Sequence, residues 1–231
     1  METINKADAT GNEAKSLAGL TRRAIGLMRD DQRVLLGITG SPGAGKTTLA
    51  RELVATINRE LGSSDGEDPI AAYLPMDGFH LANSTLDHLG NHDRKGALDT
   101  FDGWGFVALL RRLLVETGHT VYAPSFDRTV DEGVAGEIAI PSSARIVIVE
   151  GNYLLVDEVP WAEIRAILAE AWFCDTPEHE RLRRLVDRHE RHGRSPEAAE
   201  AWARTVDGSN AMVIETTRTR ADLIISAVTP G

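Results

Sequence analysis

Gly37–Thr48 reads GITGSPGAGKTT, and inside it Gly40–Thr47 spells G-x-x-x-x-G-K-T. Gly40, Gly43 and Gly45 let successive backbone N–H groups turn inward around an anion, and a helix opening after them presents its positive end to the same point. Lys46 in this place reaches the β- and γ-phosphates of a nucleotide, and the Thr47 hydroxyl suits Mg²⁺. The candidate nucleotide-binding segment is thus Gly40, Ser41, Pro42, Gly43, Ala44, Gly45, Lys46, Thr47 and Thr48. Such a loop carries meaning only between a strand and a helix. Val34–Thr39 (VLLGIT) is apolar without alternation, the pattern of a parallel strand covered on both faces. After the loop, TTLARELVATINRE sets Leu49, Leu53 and Ile57 on one helical face.

Working outward, Ala14–Met28 places Leu17, Leu20, Ala24, Leu27 and Met28 at helical spacing. Gly62–Pro69 is a polar turn, Ile70–Leu74 a second strand and Gly103–Val115 a helix. Ile146–Val149 is a buried strand closed by Glu150, and AWFCDT (171–176) and LIIS (223–226) supply two more. Strands alternating with helices predict an α/β, doubly wound parallel sheet, with no linker or internal repeat. A single domain over residues 1–231 is expected, with residues 1–13 disordered.

Lys and Arg number 25 against 35 Asp and Glu, a formal charge of -10. That balance disfavours extended nucleic-acid or anionic-membrane surfaces and suits a small-molecule partner. The polar N-terminal stretch has no apolar h-region, and no later run approaches the ~20 apolar residues of a membrane span. The chain is therefore expected in the cytoplasm, and it is compatible with a homodimer. The single cysteine, Cys174, excludes an internal disulfide and reads as buried strand packing.

Four acids stand where chemistry is expected. Glu150 ends a buried strand at the edge where open α/β sheets bind ligands, so it can hold Mg²⁺, or alternatively cap a turn. Asp77, in YLPMDGFH, ends the second strand on that same edge and would orient a substrate hydroxyl and accept its proton; the alternative is an Asx turn at Asp77-Gly78. His80 follows closely enough to touch substrate. Asp102 either contacts an acceptor or caps the helix at Gly103. Asp127 and Arg128, in a Pro-containing loop, either line the acceptor pocket or pair with each other, and Arg128 suits a carboxylate or phosphate on the substrate.

Arg181, Arg184, Arg188 and Arg191 recur every three or four residues. The stripe either closes over a triphosphate or forms a solvated face with Glu180–Arg184 and Asp187–Arg191 pairs. Arg194, after Gly193, adds a further candidate. His88 and His92 are four apart but straddle Gly90 in an apparent loop, which argues against a zinc pair.

The ordered set GSPGAGKTT, MDGFH, TFD, PSFD and IVEGNYLL, followed by an Arg-rich helix, resembles the uridine kinase, phosphoribulokinase and pantothenate kinase superfamily from about Leu35 to Ile225. RLVDRHERHG and TRTRADLIIS are most similar to its pantothenate-kinase-like and fructose-transport-system-kinase-like members. The resemblance implies a P-loop NTPase three-layer sandwich, a core of about five parallel strands with a helical lid over roughly residues 178–205. It implies ATP and Mg²⁺ as cofactors, with γ-phosphoryl transfer to a hydroxyl of a small metabolite. On that likeness Asp77 is the base, Lys46 and Thr47 hold phosphate and magnesium, Glu150 lies near the metal, Asp127 belongs to the substrate stretch and Arg184 to the lid. Uridine kinases read D-S-F-Y where Asp77–His80 stands, and R-D where Asp187 precedes Arg188. The acceptor stays open among a sugar such as fructose, pantothenate, a nucleoside and glycerate. The rival reading is a GTP-dependent P-loop switch or assembly factor; DHLG at Asp87 fits its D-x-x-G, but no apolar strand precedes it.

Overall fold

The computed structural model describes residues 16–30, 32–62 and 68–226. The disorder expected of residues 1–13, and residues 63–67 of the polar turn, fall outside them. In chain order the elements begin with α1 (Leu17–Gly26), β1 (Val34–Thr39), α2 (Lys46–Glu60) and β2 (Ala71–Pro75). There follow α3 (Asn83–Leu89), α4 (Gly103–Val115), β3 (Val121–Asp127), β4 (Glu132–Ile140) and β5 (Ile146–Glu150). The chain continues through α5 (Ile164–Ile167), β6 (Glu170–Asp175), α6 (Glu178–Arg191), α7 (Pro196–Trp202), α8 (Gly208–Glu215) and β7 (Leu223–Ser226).

Five strands form one parallel sheet in the order β2-β5-β1-β6-β7. Each central strand is apolar throughout because both of its faces are covered. On one face Leu35, Leu74, Val147, Val149 and Phe173 meet Phe106, Val107, Leu110 and Leu113 of α4. On the other, Leu36, Ile38, Ile146, Ile148 and Trp172 meet Leu20 and Ala24 of α1 and Leu49, Leu53 and Ile57 of α2. The period of two along each strand therefore sorts neighbours into opposite layers. Arg33, 3% exposed, ties the end of this core together. Its guanidinium donates to the carbonyls of Ala144, Leu113 and Pro141 at 2.6, 3.2 and 2.7 Å.

Two sequence expectations change. The Pro-containing loop holding Asp127 is strand β3, which pairs antiparallel with β4 in a separate two-stranded ribbon. The strict alternation of strand and helix is broken there. The register shifts between Ala123 and Ser125, at Pro124, which has no N–H to give the ladder. A Cβ on Gly78 would lie 2.2 Å from the Pro124 carbonyl, so the ribbon packs directly on the turn that carries Asp77. His88 belongs to helix α3 rather than to a loop, while His92 lies 2.5 Å from Asp87 through Nδ1. No metal-capable group of three or more His, Cys, Asp or Glu occurs among the described residues.

Cys174 lies 5% exposed in β6, and burial pushes its thiol up to about 12. The thiolate is the nucleophile, so native protein should resist iodoacetamide at pH 8 and label fully in denaturant. Rapid labelling of the folded chain, followed by mass spectrometry, would refute this burial. No described helix is long and apolar enough to cross a membrane.

Candidate active site

The carboxyl ends of β1, β2 and β5 converge on one edge of the sheet, and each delivers a polar group. After β1 the chain makes the glycine loop; Gly40 has φ 141°, and a Cβ there would come within 2.5 Å of the Cys174 carbonyl. Only glycine permits both the conformation and this approach. The loop is tied down by Ser41, whose Oγ donates to Glu215 at 2.5 Å, and by Thr176, which donates to the Ala44 carbonyl at 3.0 Å.

Lys46, the first residue of α2, is 6% exposed and its Nζ donates to the Ser41 carbonyl at 3.1 Å. Burial lowers its affinity for a proton, while Glu150, Cys174 and Asp77 oppose that loss. Glu150, at the end of β5, is 7% exposed; burial pushes its carboxyl up and Lys46 draws it back. Each buried charge thus depends on the other. Glu150 Oε2 accepts from Thr47 Oγ1 at 3.2 Å and from the Tyr73 hydroxyl at 3.0 Å. Tyr73 is held protonated, foremost by burial and then by the Glu150 charge, so it remains a donor.

Asp77 sits in the 3-10 turn Met76–Phe79 directly after β2, and its Oδ2 accepts from Arg128 at 2.8 Å. His80 closes that turn with Nδ1 2.7 Å from the Asp77 carbonyl, its ring between Phe101 and Phe126 at 4.0 and 4.6 Å. Burial keeps the imidazole neutral.

Lys46, Thr47, Asp77, His80, Arg128, Glu150 and Arg184 all line one cavity of about 580 Å³. Asp102 and Asp127 do not line it. Asp102 caps α4, accepting from Gly105 N at 2.8 Å, and Asp127 accepts from Thr129 N at 2.7 Å in the ribbon's turn. Asp102→Ala should accordingly lose about 1 kcal/mol of stability in denaturant unfolding. Acceptor KM should not move; a rise with unchanged stability would restore the contact reading.

The arginine stripe divides in two. Arg181 turns into the protein and donates from Nε to the Thr176 carbonyl at 3.2 Å, so it is not part of the cavity wall. Arg184, Arg188 and Arg191 face the cavity, as does Arg194, whose guanidinium stacks on Trp202 at 4.0 Å. Arg184 donates to the Gly43 carbonyl at 3.3 Å and to Glu180 at 3.1 Å. The Asp187 carboxylate pairs with Arg183 at 3.4 Å, and Arg191 Nε donates to the Asp187 backbone carbonyl at 3.0 Å. Lys95, Asn152, His189, Asp207 and Asn210 also line the cavity, though nothing in their local sequence singles them out. Asp207 belongs to a π-helical turn, Ala203–Asp207, and accepts from His189 Nε2 at 2.7 Å. Seven Lys and Arg against four Asp and Glu surround the cavity, in a chain of net charge -10. That local reversal of sign concentrates anions where the glycine loop opens.

A buried lysine in a glycine cradle, with a carboxylate on the adjacent strand, on a sheet of this order, is the arrangement of a P-loop nucleotide-binding protein. Residues 35–230 match the model of the phosphoribulokinase / uridine kinase family, and the chain belongs to that family. A crystal structure described as a "putative fructose transport system kinase" from Silicibacter sp. TM1040 is 37% identical, with a TM-score of 0.81 over 90% of this chain and 98% of that one. A "putative uridine kinase" of Schizosaccharomyces pombe is 38% identical over 155 residues, 65% of this chain. The match spans 64% of that relative's length. The uncharacterized protein YggC of Escherichia coli is 32% identical over 208 residues, covering 90% of this chain and 84% of its own.

Proposed function

We propose that the chain transfers the γ-phosphoryl group of ATP to a hydroxyl of a small metabolite, with Mg²⁺. The observation that carries this reading is the convergence of Lys46, Glu150 and Asp77 on one cavity from three neighbouring strand ends. The glycine cradle fits a polyphosphate, since Gly40, Gly43 and Gly45 all hold the positive φ that lets successive loop N–H groups turn inward around an anion. Thr47 and Glu150 offer the hard oxygen donors that suit Mg²⁺, which when bound would neutralise charge on the β- and γ-phosphates.

Lys46 and the loop N–H groups grip the donor phosphates, and Arg184 lies over the cradle to balance charge on the group in transfer. Asp77 orients the acceptor hydroxyl and takes its proton as that oxygen bonds to the γ-phosphorus. The bond from phosphorus to the β–γ bridging oxygen breaks, and its electron pair leaves on ADP. His80 and Arg128 are the acceptor contacts we assign, because both line the cavity beside Asp77.

Fructose, pantothenate, uridine and D-glycerate sample the four acceptor classes, and a sugar has the support of the Silicibacter likeness. ADP release with ATP-Mg²⁺ should rise with one of them and vanish in Asp77→Asn. A guanine-specific switch has two tetrapeptides in its favour: Asn5-Lys6-Ala7-Asp8 spells N-K-x-D, although it precedes the glycine loop, and Asp87–Gly90 fits D-x-x-G without an apolar strand before it. Nucleotide choice tests it. Selective GTP binding, or ADP release indifferent to every acceptor, would sink the kinase reading.

A further inference from the structure

Thr47, Asp77, Phe126, Arg128 and Glu150 line both the main cavity and a second cleft of about 350 Å³, so the 2.8 Å Arg128–Asp77 ion pair is part of the partition between the two. The pair also occupies Oδ2 of Asp77, the carboxylate assigned above to the acceptor hydroxyl. Across the cavity stands Arg188 on α6, half-buried, whose nearest acidic oxygen is Asp207 Oδ1 at 4.0 Å. The other oxygen of Asp207 is taken by His189. Arg128 and Arg188 feel each other's charge, and that repulsion is felt at Arg188 next after its burial. Two guanidiniums that share one cavity without enough acceptors form an anion site, and their forks suit a carboxylate or phosphate.

We infer that the acceptor carries a fixed negative group, a carboxylate or phosphate, which bridges Arg128 and Arg188 and draws Arg128 away from Asp77. The inference rests on the kinase reading above. An anionic acceptor thereby frees Asp77 Oδ2 for its own hydroxyl, whereas a neutral acceptor leaves that oxygen bound to Arg128. Substrate charge then acts as the selector, through a swap of hydrogen-bond partners at Arg128.

The test uses the full chain saturated with the ATP analogue AMPPNP and Mg²⁺, so that donor phosphates already occupy the glycine loop. Calorimetry compares D-glycerate with glycerol, pantothenate with panthenol, and fructose 6-phosphate with fructose. At least one anion should bind 10-fold or more tightly than its neutral twin. Arg128→Gln should erase that preference, while AMPPNP-Mg²⁺ still raises the variant's Tm. No preference in any pair, or a preference that survives Arg128→Gln, overturns the inference. ADP release from the same pairs separates the two readings. Turnover of a neutral twin as fast as its anion sinks the inference and keeps the kinase; an Arg128-dependent preference with no ADP release sinks the kinase reading instead.

Discussion

Phosphoryl transfer by Lys46→Ala is expected to fall about 10²–10³-fold, the loss that follows removal of one preorganised donor to developing charge. Its ammonium is buried within the cradle itself, with Nζ on the Ser41 carbonyl. Folding should survive the change. Removal relieves the desolvation cost of Lys46 but leaves Glu150 buried without its cation, so the variant should fold yet melt below the parent without nucleotide. Glu150 keeps its donors Thr47 and Tyr73. The check is a pair of thermal melts beside the activity assay. The parent should gain Tm on adding ATP-Mg²⁺, and the variant, from its own lower starting point, should gain much less. Equal gains would mean that Lys46 is not a phosphate ligand.

Asp77→Asn is expected to cost about 10²–10⁴-fold in kcat, the usual worth of a positioned general base. Asparagine keeps the size of the side chain and an oxygen for Arg128, so the partition and the turn should persist. It cannot take the acceptor's proton. ATP-Mg²⁺ affinity and acceptor KM should therefore stay within a few-fold while kcat collapses, a split that a folding defect would not produce. Full turnover in this variant would assign the base elsewhere.

The parallel core was legible because buried strands leave an unmistakable trace. VLLGIT, IVIV and LIIS are unbroken apolar runs, and the glycine loop fixes where the first of them ends. The donor half of the candidate site was legible for the same reason: its residues hang on strand ends. The β3–β4 ribbon was not. Pro124 interrupts one strand and two glycines dilute the other, and most of β4 faces solvent, so neither alternation nor an apolar run survives. It is held by packing over Gly78, a long-range contact with no local signature. Asp102 is the opposite case, since one residue satisfied two local rules and only the structure could assign its carboxylate to Gly105 N. Lys95 and Asp207 reach the cavity from a loop and a π turn, where no periodicity marks an inward side chain, and Asn210 reaches it from α8.

The sheet order bears on how the molecule matures. β1 and β2 never pair with each other; β5 lies between them, and Glu150 arrives 103 residues after Thr47 and 77 after Tyr73. Chain is made at about 5–20 residues per second, so a ribosome that has released β1 and β2 has yet to supply the strand that sets their spacing. The nascent chain thus holds its nucleotide loop and its Asp77 turn as separate pieces, unable to act together. Competence should appear late and all at once, and in refolding experiments nucleotide binding should track insertion of β5 rather than formation of the first helices.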